Sequence, residues 1–175
     1  MKIIDLSQPL FDGMEVFPGD PKVVVEQQQE FSKDGWNMKR LHINLHDGTH
    51  LNVPIHGTKN GRILDSYKLE DFIGKCRLYK KTGDIQKGIG IIFGDKNIDW
   101  EMAKIIAKKL PKFVGLSSAF EFDVDIEKFL LEKGIISFER LANTDKLPSE
   151  FVFYGVPLKI KDGDGSPIRA FAVSE

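Results

Sequence analysis

The chain has 175 residues, of which 25 are basic and 26 acidic, and its formal net charge is −1. Because both signs are spread along the chain, it lacks the basic stripe that nucleic acid or an anionic membrane would require. A chain of this length can bury about two thirds of its unfolded surface in one core, so we expect a single domain over residues 1–175.

Cys76 is the only cysteine, which excludes an internal disulfide and fits a reducing compartment. The first residues lack the apolar core and the cleavage site of a signal peptide. No run approaches the ~18 apolar residues of a membrane span. We therefore expect a cytoplasmic protein that has neither membrane nor nucleic-acid partners.

The first part of the chain is predicted to contain two strands, at residues 2–7 and 23–31. A loop rich in proline and glycine separates them, from Pro9 to Pro21. A loop of this length in a compact domain is usually functional or held against another surface.

The four histidines of the chain all lie between residues 42 and 56. Two strands are predicted here, at 38–46 and 50–56, with a bend at Gly48. Within them the even-numbered positions share one face and are polar: His42, Asn44, His46, His50, Asn52 and His56. A lone histidine on a strand is most often a surface residue. Several imidazoles beside a side-chain oxygen instead form a set that Zn²⁺ or Mn²⁺ binds while a position stays open for water.

The rest of the chain alternates predicted strands and helices, which is typical of α/β units. A short helix at 68–73 is predicted to end at Gly74. A longer helix is predicted to begin at the N-cap Asp99 and to stop before Pro111, and another spans 125–133. The remaining predicted strands cover 75–80, 88–93, 112–116, 135–141, 151–160 and 168–173, the last two being joined by a glycine-rich turn at 163–167.

The segment from His46 to His56, HDGTHLNVPIH, resembles the H-x-G-T-H-x-D-x-P-x-H signature of the cyclase family, which includes bacterial kynurenine formamidases (arylformamidases), metal-dependent amide hydrolases. Further blocks resemble family blocks in the same order: DLSQPL and FPGDP near the start, FERLAN at 138–143 and DGSPIRA at 164–170. The resemblance covers nearly the whole chain. It implies an α/β fold with a mixed β-sheet and flanking helices, similar to the family's swivelling β/β/α architecture.

The resemblance implies a divalent metal, Zn or Mn, held by His46, His50 and the residue at position 52, with Glu139 as the late carboxylate ligand. This chain has Asn52 where the family has aspartate. A neutral amide oxygen is a weaker ligand than a carboxylate and leaves the charge of the metal uncancelled. We therefore expect the site to hold a single metal ion or to bind its ion weakly.

Two further positions depart from the family pattern. Glu127 stands where the family has a histidine. Ser117 stands where family members often have an aspartate, directly after a glycine and a hydrophobic residue that end a strand. Glu127 could supply an oxygen ligand and restore one negative charge, although its spacing fits a solvated surface glutamate equally well.

The function that follows is hydrolysis of a small amide, ester or lactone-like substrate by a metal-activated water. His56 would move protons between water and the leaving group, Glu139 would share in catalysis, and Phe17 would line the substrate pocket. The alternative is a metal-poor, catalytically silent relative that binds a small molecule or serves as an assembly subunit. In both cases we expect a homodimer or homotetramer.

Overall fold

The computed structural model describes residues 1–174 and shows a mixed α/β fold. The strands are β1 (Lys2–Asp5), β2 (Val24–Gln29), β3 (Met38–His42), β4 (His50–Asn52), β5 (Ile73–Leu78), β6 (Gly90–Phe93), β7 (Phe113–Ser117), β8 (Ile136–Leu141), β9 (Glu150–Tyr154), β10 (Gly165–Pro167) and β11 (Phe171–Ser174). Nine of them form one sheet in the order β1-β11-β9-β5-β6-β7-β8-β4-β10, whereas β2 and β3 pair as a separate ribbon. The central strands β5 to β8 are parallel, and the pairs toward both edges are antiparallel.

The helices are α1 (Phe31–Asp34), a single turn, and the longer α2 (Trp100–Lys109) and α3 (Val124–Glu132). Asp99 caps α2 as predicted, because its carboxylate accepts a hydrogen bond from the Met102 amide at 2.8 Å. Asp123 caps α3 in the same way through the amides of Asp125 and Ile126. No helix within residues 1–174 combines the length and the apolar character needed to cross a membrane.

The core has two parts, one on each face of the sheet. Along β6, Ile91 and Phe93 belong to the part that α2 and α3 cover, whereas Ile92 belongs to the other part. On β7, Val114 belongs to the part that α2 and α3 cover, and Phe113 belongs to the other part. Successive strand residues point to opposite faces, so both faces of the central strands are buried and the polar site must lie toward an edge.

The predicted strand at 50–56 is wrong in its second half, because β4 ends at Asn52 and a 3₁₀ turn spans Pro54–His56. Proline has no backbone N–H for strand pairing but fits the first position of a helical turn. The predicted strand at 38–46 likewise ends early, at His42. His42 therefore lies on the β2–β3 ribbon, where its ring is 3.4 Å from Glu26 and does not join the other histidines.

Three other predicted boundaries are wrong. The glycine-rich turn at 163–167 contains strand β10, which pairs with β4. The predicted helix at 68–73 is a 3₁₀ turn over Leu69–Phe72, and Gly74 lies inside β5. The predicted strand at 151–160 stops at Tyr154. Gly165 and Gly74 are extended because they pair with Asn52 and Phe153, which are distant in sequence and override the local turn signal.

Candidate metal centre

The site is built on β4, which lies between β8 and β10 near one edge of the sheet. In the strand register His50 is opposite Glu139, and Asn52 is opposite Ser137 on one side and Gly165 on the other. Because side chains alternate along a strand, His50 and Asn52 share the site face. Leu51, between them, lies in the core.

Two carboxylates converge on the amide of Asn52. Its Nδ2 donates to Glu127 Oε1 and to Glu139 Oε1, both at 2.6 Å. Glu127 comes from the first turn of α3 and accepts a further hydrogen bond from the Ser137 hydroxyl at 2.6 Å. Glu127 is therefore a half-buried member of the site and not a solvated surface glutamate.

His46 and His50, the first two of the three motif histidines, each direct one ring nitrogen toward Asn52 or Glu139 and place the other beside an acceptor oxygen. His50 is buried, its Nε2 lies 3.3 Å from Glu139 Oε1, and its Nδ1 lies 2.8 Å from the Gly48 carbonyl oxygen. His46 lies on the loop before β4. Its Nδ1 is 2.7 Å from Asn52 Oδ1, and its Nε2 is 3.0 Å from Asp164 Oδ2.

His56 lies on the outer side of the same group, at the end of the 3₁₀ turn after β4. Its Nδ1 is 3.2 Å from Asp164 Oδ2, and its ring centroid is 4.0 Å from that of His46. One nitrogen from each of these rings and an oxygen of Asp164 all lie within 4.8 Å of one another, close enough to share a metal ion.

Two irregular backbone features shape the walls of the site. The pairing of β7 with β8 shifts register just after Glu139, and Arg140 adopts φ 54° there. Such bulges re-aim side chains near functional sites. On the other wall Gly165 allows a close approach, because a Cβ at this position would lie 2.6 Å from His46 Cε1.

The pKa values of the Glu127 and Glu139 carboxyl groups are shifted in opposite directions. Burial and the adjacent Glu139 carboxylate raise the pKa of Glu127, to about 7, and outweigh its hydrogen bonds from Ser137 and Asn52. Burial would also raise the pKa of Glu139, but the hydrogen bond and charge of His50, with the bonds to Glu127 and Asn52, lower it. The pair therefore favours one proton and one negative charge in the absence of metal.

The two site histidines with shifted pKa values also differ. Burial is the largest influence on His50 and lowers its pKa, but the hydrogen bond and charge of Glu139, with the Gly48 carbonyl and the charge of Glu127, together outweigh it and leave the pKa raised. Burial and the neighbouring His46 lower the pKa of His56, against the opposing effect of Asp164. For Asp164, burial is the largest influence and raises the pKa, but the hydrogen bonds to His46 and His56 and the charge of His46 together outweigh it and leave the pKa lowered.

The donor set suits a divalent metal. A carboxylate only accepts hydrogen bonds, so Asp164 requires the proton of a neutral His46 to be on Nε2. The lone pair of His46 Nδ1 then faces the Asn52 carbonyl oxygen, and both atoms could serve as ligands of a cation, which would remove their repulsion. Metal-binding histidines characteristically donate their second ring N–H to a carboxylate or a backbone carbonyl. Asp164 takes this place behind His46, and Gly48 takes it behind His50.

Other residues singled out in the sequence lie elsewhere. Phe17 is 56 % exposed in the loop between β1 and β2, and its place in a substrate pocket stays a prediction. Ser117 is buried, and its hydroxyl accepts hydrogen bonds from Thr144 and Ala119. Cys76 is buried in the core, and burial raises the pKa of its thiol well above the usual value, so it acts as a packing residue.

The sequence interpretation missed two participants, Asp164 and Ser137. Asp164 was noted only as part of the glycine-rich turn at 163–167 and as the first residue of a block that resembles the family. The available signal was its position beside Gly165 in a block that resembles the family, because a glycine within a strand often marks a place where a ligand or another backbone approaches closely. Ser137 gave no signal, because it is one serine within an apolar strand.

Comparison with known proteins shows similarity over the whole chain. The Cyclase family model matches residues 4–103. The kynurenine formamidase of Salinibacter ruber is 24% identical, with 97% of this chain and 96% of that protein covered. The kynurenine formamidase of Bacillus thuringiensis subsp. konkukian is 25% identical, with 95% of each covered. The crystal structure of an isatin hydrolase bound to the product analogue thioisatinate superposes with a TM-score of 0.83 at 19% identity, with 99% of this chain and 92% of that chain covered.

Proposed function

The chain belongs to the cyclase family, and from this premise we propose that it is a metal-dependent hydrolase of a small amide, ester or lactone-like substrate. One observation carries the proposal. His46 and His50 each direct one nitrogen toward Asn52 or Glu139 while an acceptor holds the other nitrogen. That arrangement is characteristic of metal-binding histidines.

The proposed ligands are His46, His50, Asn52, Glu127 and Glu139, which would hold one Zn²⁺ or Mn²⁺ ion. A bound ion of this kind supplies Lewis acidity, which makes a bound water more acidic and polarises a substrate carbonyl. Nitrogen and oxygen donors are the ligands such ions select. In the metal-bound site, the charge that the aspartate of the family motif would provide would come from Glu127, which lies 2.6 Å from Asn52.

The remaining chemistry belongs to the protein's own side chains. His56 is one third exposed, beside the ligand group, and is proposed to carry protons between water and the leaving group. Glu139 holds the His50 ring from the inner side, and Phe17 is proposed to contribute an apolar wall. The relatives are named for formamide and isatin hydrolysis, which supports small amides and cyclic amides as first substrates.

The proposal is tested by metal titration and turnover. Chelator-treated protein is titrated with Zn²⁺ and with Mn²⁺ in a calorimeter, and hydrolysis of formanilide, isatin and a simple lactone is then measured. We expect binding of one ion and metal-dependent turnover, with Glu139→Gln weakening binding by roughly tenfold or more. Glu101→Gln makes the same change on the exposed face of α2 and serves as the control. Absence of both binding and turnover would favour the catalytically silent alternative.

Two further parts of the proposal rest on the sequence. We propose a homodimer or homotetramer, because a proline-rich loop of this length and the apolar strands are expected to pack against a further surface. We also propose a cytoplasmic location, which a single cysteine and the absence of an internal disulfide fit. The proposed partners are the small-molecule substrate and further copies of the chain.

A further inference from the structure

One carboxylate oxygen joins the two imidazoles on the open side of the site. Asp164 Oδ2 lies 3.0 Å from His46 Nε2 and 3.2 Å from His56 Nδ1, and the two ring centroids are 4.0 Å apart. Neither the motif nor the family model, which ends at residue 103, includes Asp164. Its two contacts link a proposed metal ligand to the proposed proton carrier.

The backbone holds Asp164 firmly in this position. Its carbonyl oxygen accepts a hydrogen bond from the Val53 amide at 3.1 Å, and the carbonyl of Gly163 accepts one from Leu64 at 2.8 Å. The next residue, Gly165, pairs with Asn52 in the sheet. The carboxylate is thus fixed relative to β4 and to the turn that carries His56.

The contact decides which nitrogen of His56 can react. A carboxylate accepts but does not donate, so Asp164 selects the form of neutral His56 that carries its proton on Nδ1. Nε2 then keeps its lone pair and can accept a proton. A buried or half-buried carboxylate that fixes the tautomer and orientation of a histidine base is a recurrent catalytic arrangement.

We propose that Asp164 is the positioning residue of the hydrolytic site, which orients His56 for proton transfer while it holds the ligand histidine His46. The inference rests on the proposed hydrolase function. It adds a residue that acts through the two histidines and touches neither the substrate nor the metal.

The first test reads the histidine tautomers directly by ¹⁵N NMR of the imidazole rings in chelator-treated protein at pH 8. We expect His56 to carry its proton on Nδ1 in the wild type and to shift toward the Nε2 form in Asp164→Asn. Asp162→Asn is the matched control, because Asp162 is exposed, two residues away, and its left-handed φ of 56° suits asparagine equally. A wild-type His56 protonated on Nε2, or one that Asp164→Asn leaves unchanged, overturns the proposal.

The second test separates positioning from coordination by adding Zn²⁺ to the same samples. We expect His46 and His50 to show metal-bound nitrogens while His56 keeps its Nδ1 proton. If Zn²⁺ displaces that proton, the cluster of His46, His56 and Asp164 is itself an ion site, and the positioning role is wrong.

The third test is kinetic and uses saturating metal. Asp164→Asn is expected to lower kcat by roughly 10- to 100-fold with KM little changed, and Asp162→Asn is expected to match the wild type. An unchanged kcat overturns the proposal. If the wild type turns over no substrate, the proposed function has failed, and the two NMR measurements still decide the role of Asp164.

Discussion

Asn52 donates hydrogen bonds to both Glu127 and Glu139, a role that an aspartate at this position could not take. A carboxylate at position 52 would face two other carboxylates at 2.6 Å, whereas the amide donates a hydrogen bond to each of them. The Glu127 and Glu139 carboxylates can lie side by side because the residue at position 52 donates a hydrogen bond to each of them. The departures at 52 and 127 are physically linked, and each makes the other acceptable.

The first prediction concerns Asn52→Asp, which should have opposite effects on stability and on metal binding. Losing two hydrogen bonds to charged groups and adding a third carboxylate should lower the free energy of unfolding of the metal-free protein by roughly 2–4 kcal/mol. Affinity for Zn²⁺ or Mn²⁺ should rise, because a full charge replaces a dipole. Urea unfolding with chelator and calorimetric titration measure the two effects.

Asn97→Asp is the control for this prediction, because Asn97 is exposed and its side chain meets only the amide of Ile98, which aspartate can also bind. A metal-free Asn52→Asp protein as stable as the wild type would show that the amide does not hold the carboxylates. Unchanged metal affinity would show that the site is retuned and not weakened.

The second prediction follows from the raised pKa of Glu127. Its value in the unfolded chain is near 4.5 and in the folded protein about 7, so between these pH values the folded protein holds a proton that the unfolded chain has released. Stability of the metal-free protein should therefore fall as pH rises from about 4.5 to about 7. The lowered pKa of Glu139 acts below this window, and the raised pKa of His50 acts above pH 6.5. The lowered pKa of His56 acts just below pH 6.5 with the opposite sign, so the contribution of Glu127 is read from the difference between wild type and Glu127→Gln.

Glu127→Gln should flatten this dependence, because glutamine does not titrate. The measurement is the free energy of unfolding from urea curves at half-unit pH steps in chelator. Glu101→Gln, on an exposed helix face, should keep the slope of the wild type. An equal slope in the Glu127→Gln protein would contradict the assignment.

The third prediction separates proton transfer from metal binding. His56→Ala should lower turnover by roughly 10² to 10⁴ and leave metal affinity nearly unchanged, since His56 contacts Asp164 and His46 but neither carboxylate of the inner group. The control is His42→Ala on the β2–β3 ribbon, which should affect neither quantity. Loss of metal binding in His56→Ala would instead make His56 a ligand.

Elements with strong local signals were predicted well from the sequence. The helices α2 and α3 are bounded by Asp99 and Asp123, whose carboxylates accept from backbone amides in their own first turns. Strand β10 was missed because its extended conformation depends on pairing with β4, which lies over a hundred residues earlier in the chain. The motif predicted His50 and Asn52 from neighbouring residues, whereas Asp164 reaches the site only through that distant pairing.

The fourth prediction tests the β4–β10 contact. Gly165→Ala should disturb the site, because the added Cβ would meet both His46 Cε1 and the Leu51 carbonyl oxygen at 2.6 Å, and the carbonyl cannot move away. We expect weaker metal binding and a lower melting temperature. Gly83→Ala is the control, since nothing lies within 4 Å of a Cβ there. A Gly165→Ala protein with normal metal affinity would show that the β10 wall does not set the position of His46.

At the scale of the whole molecule, the β2–β3 ribbon is the part least supported by the rest of the chain. Its strands pair only with each other, and a two-stranded hairpin is marginally stable alone in water. Large apolar side chains are exposed on it and at its turn: Val24, Phe31, Trp36, Met38 and Leu41. Exposed apolar surface of this extent usually marks an interaction site.

The last prediction is that a second copy of the chain covers this ribbon in solution. Light scattering after size exclusion should give two or four times the 19.8 kDa of one chain at micromolar concentration. Trp36→Ser should shift the assembly toward monomer, because the indole, 62 % exposed in one chain, is the largest apolar group that a partner could bury. Trp100→Ser is the control, since that indole is also exposed but lies on α2 against Phe129. A strictly monomeric wild type would contradict the assembly, and dissociation by Trp100→Ser alone would place the interface on the helical face of the sheet.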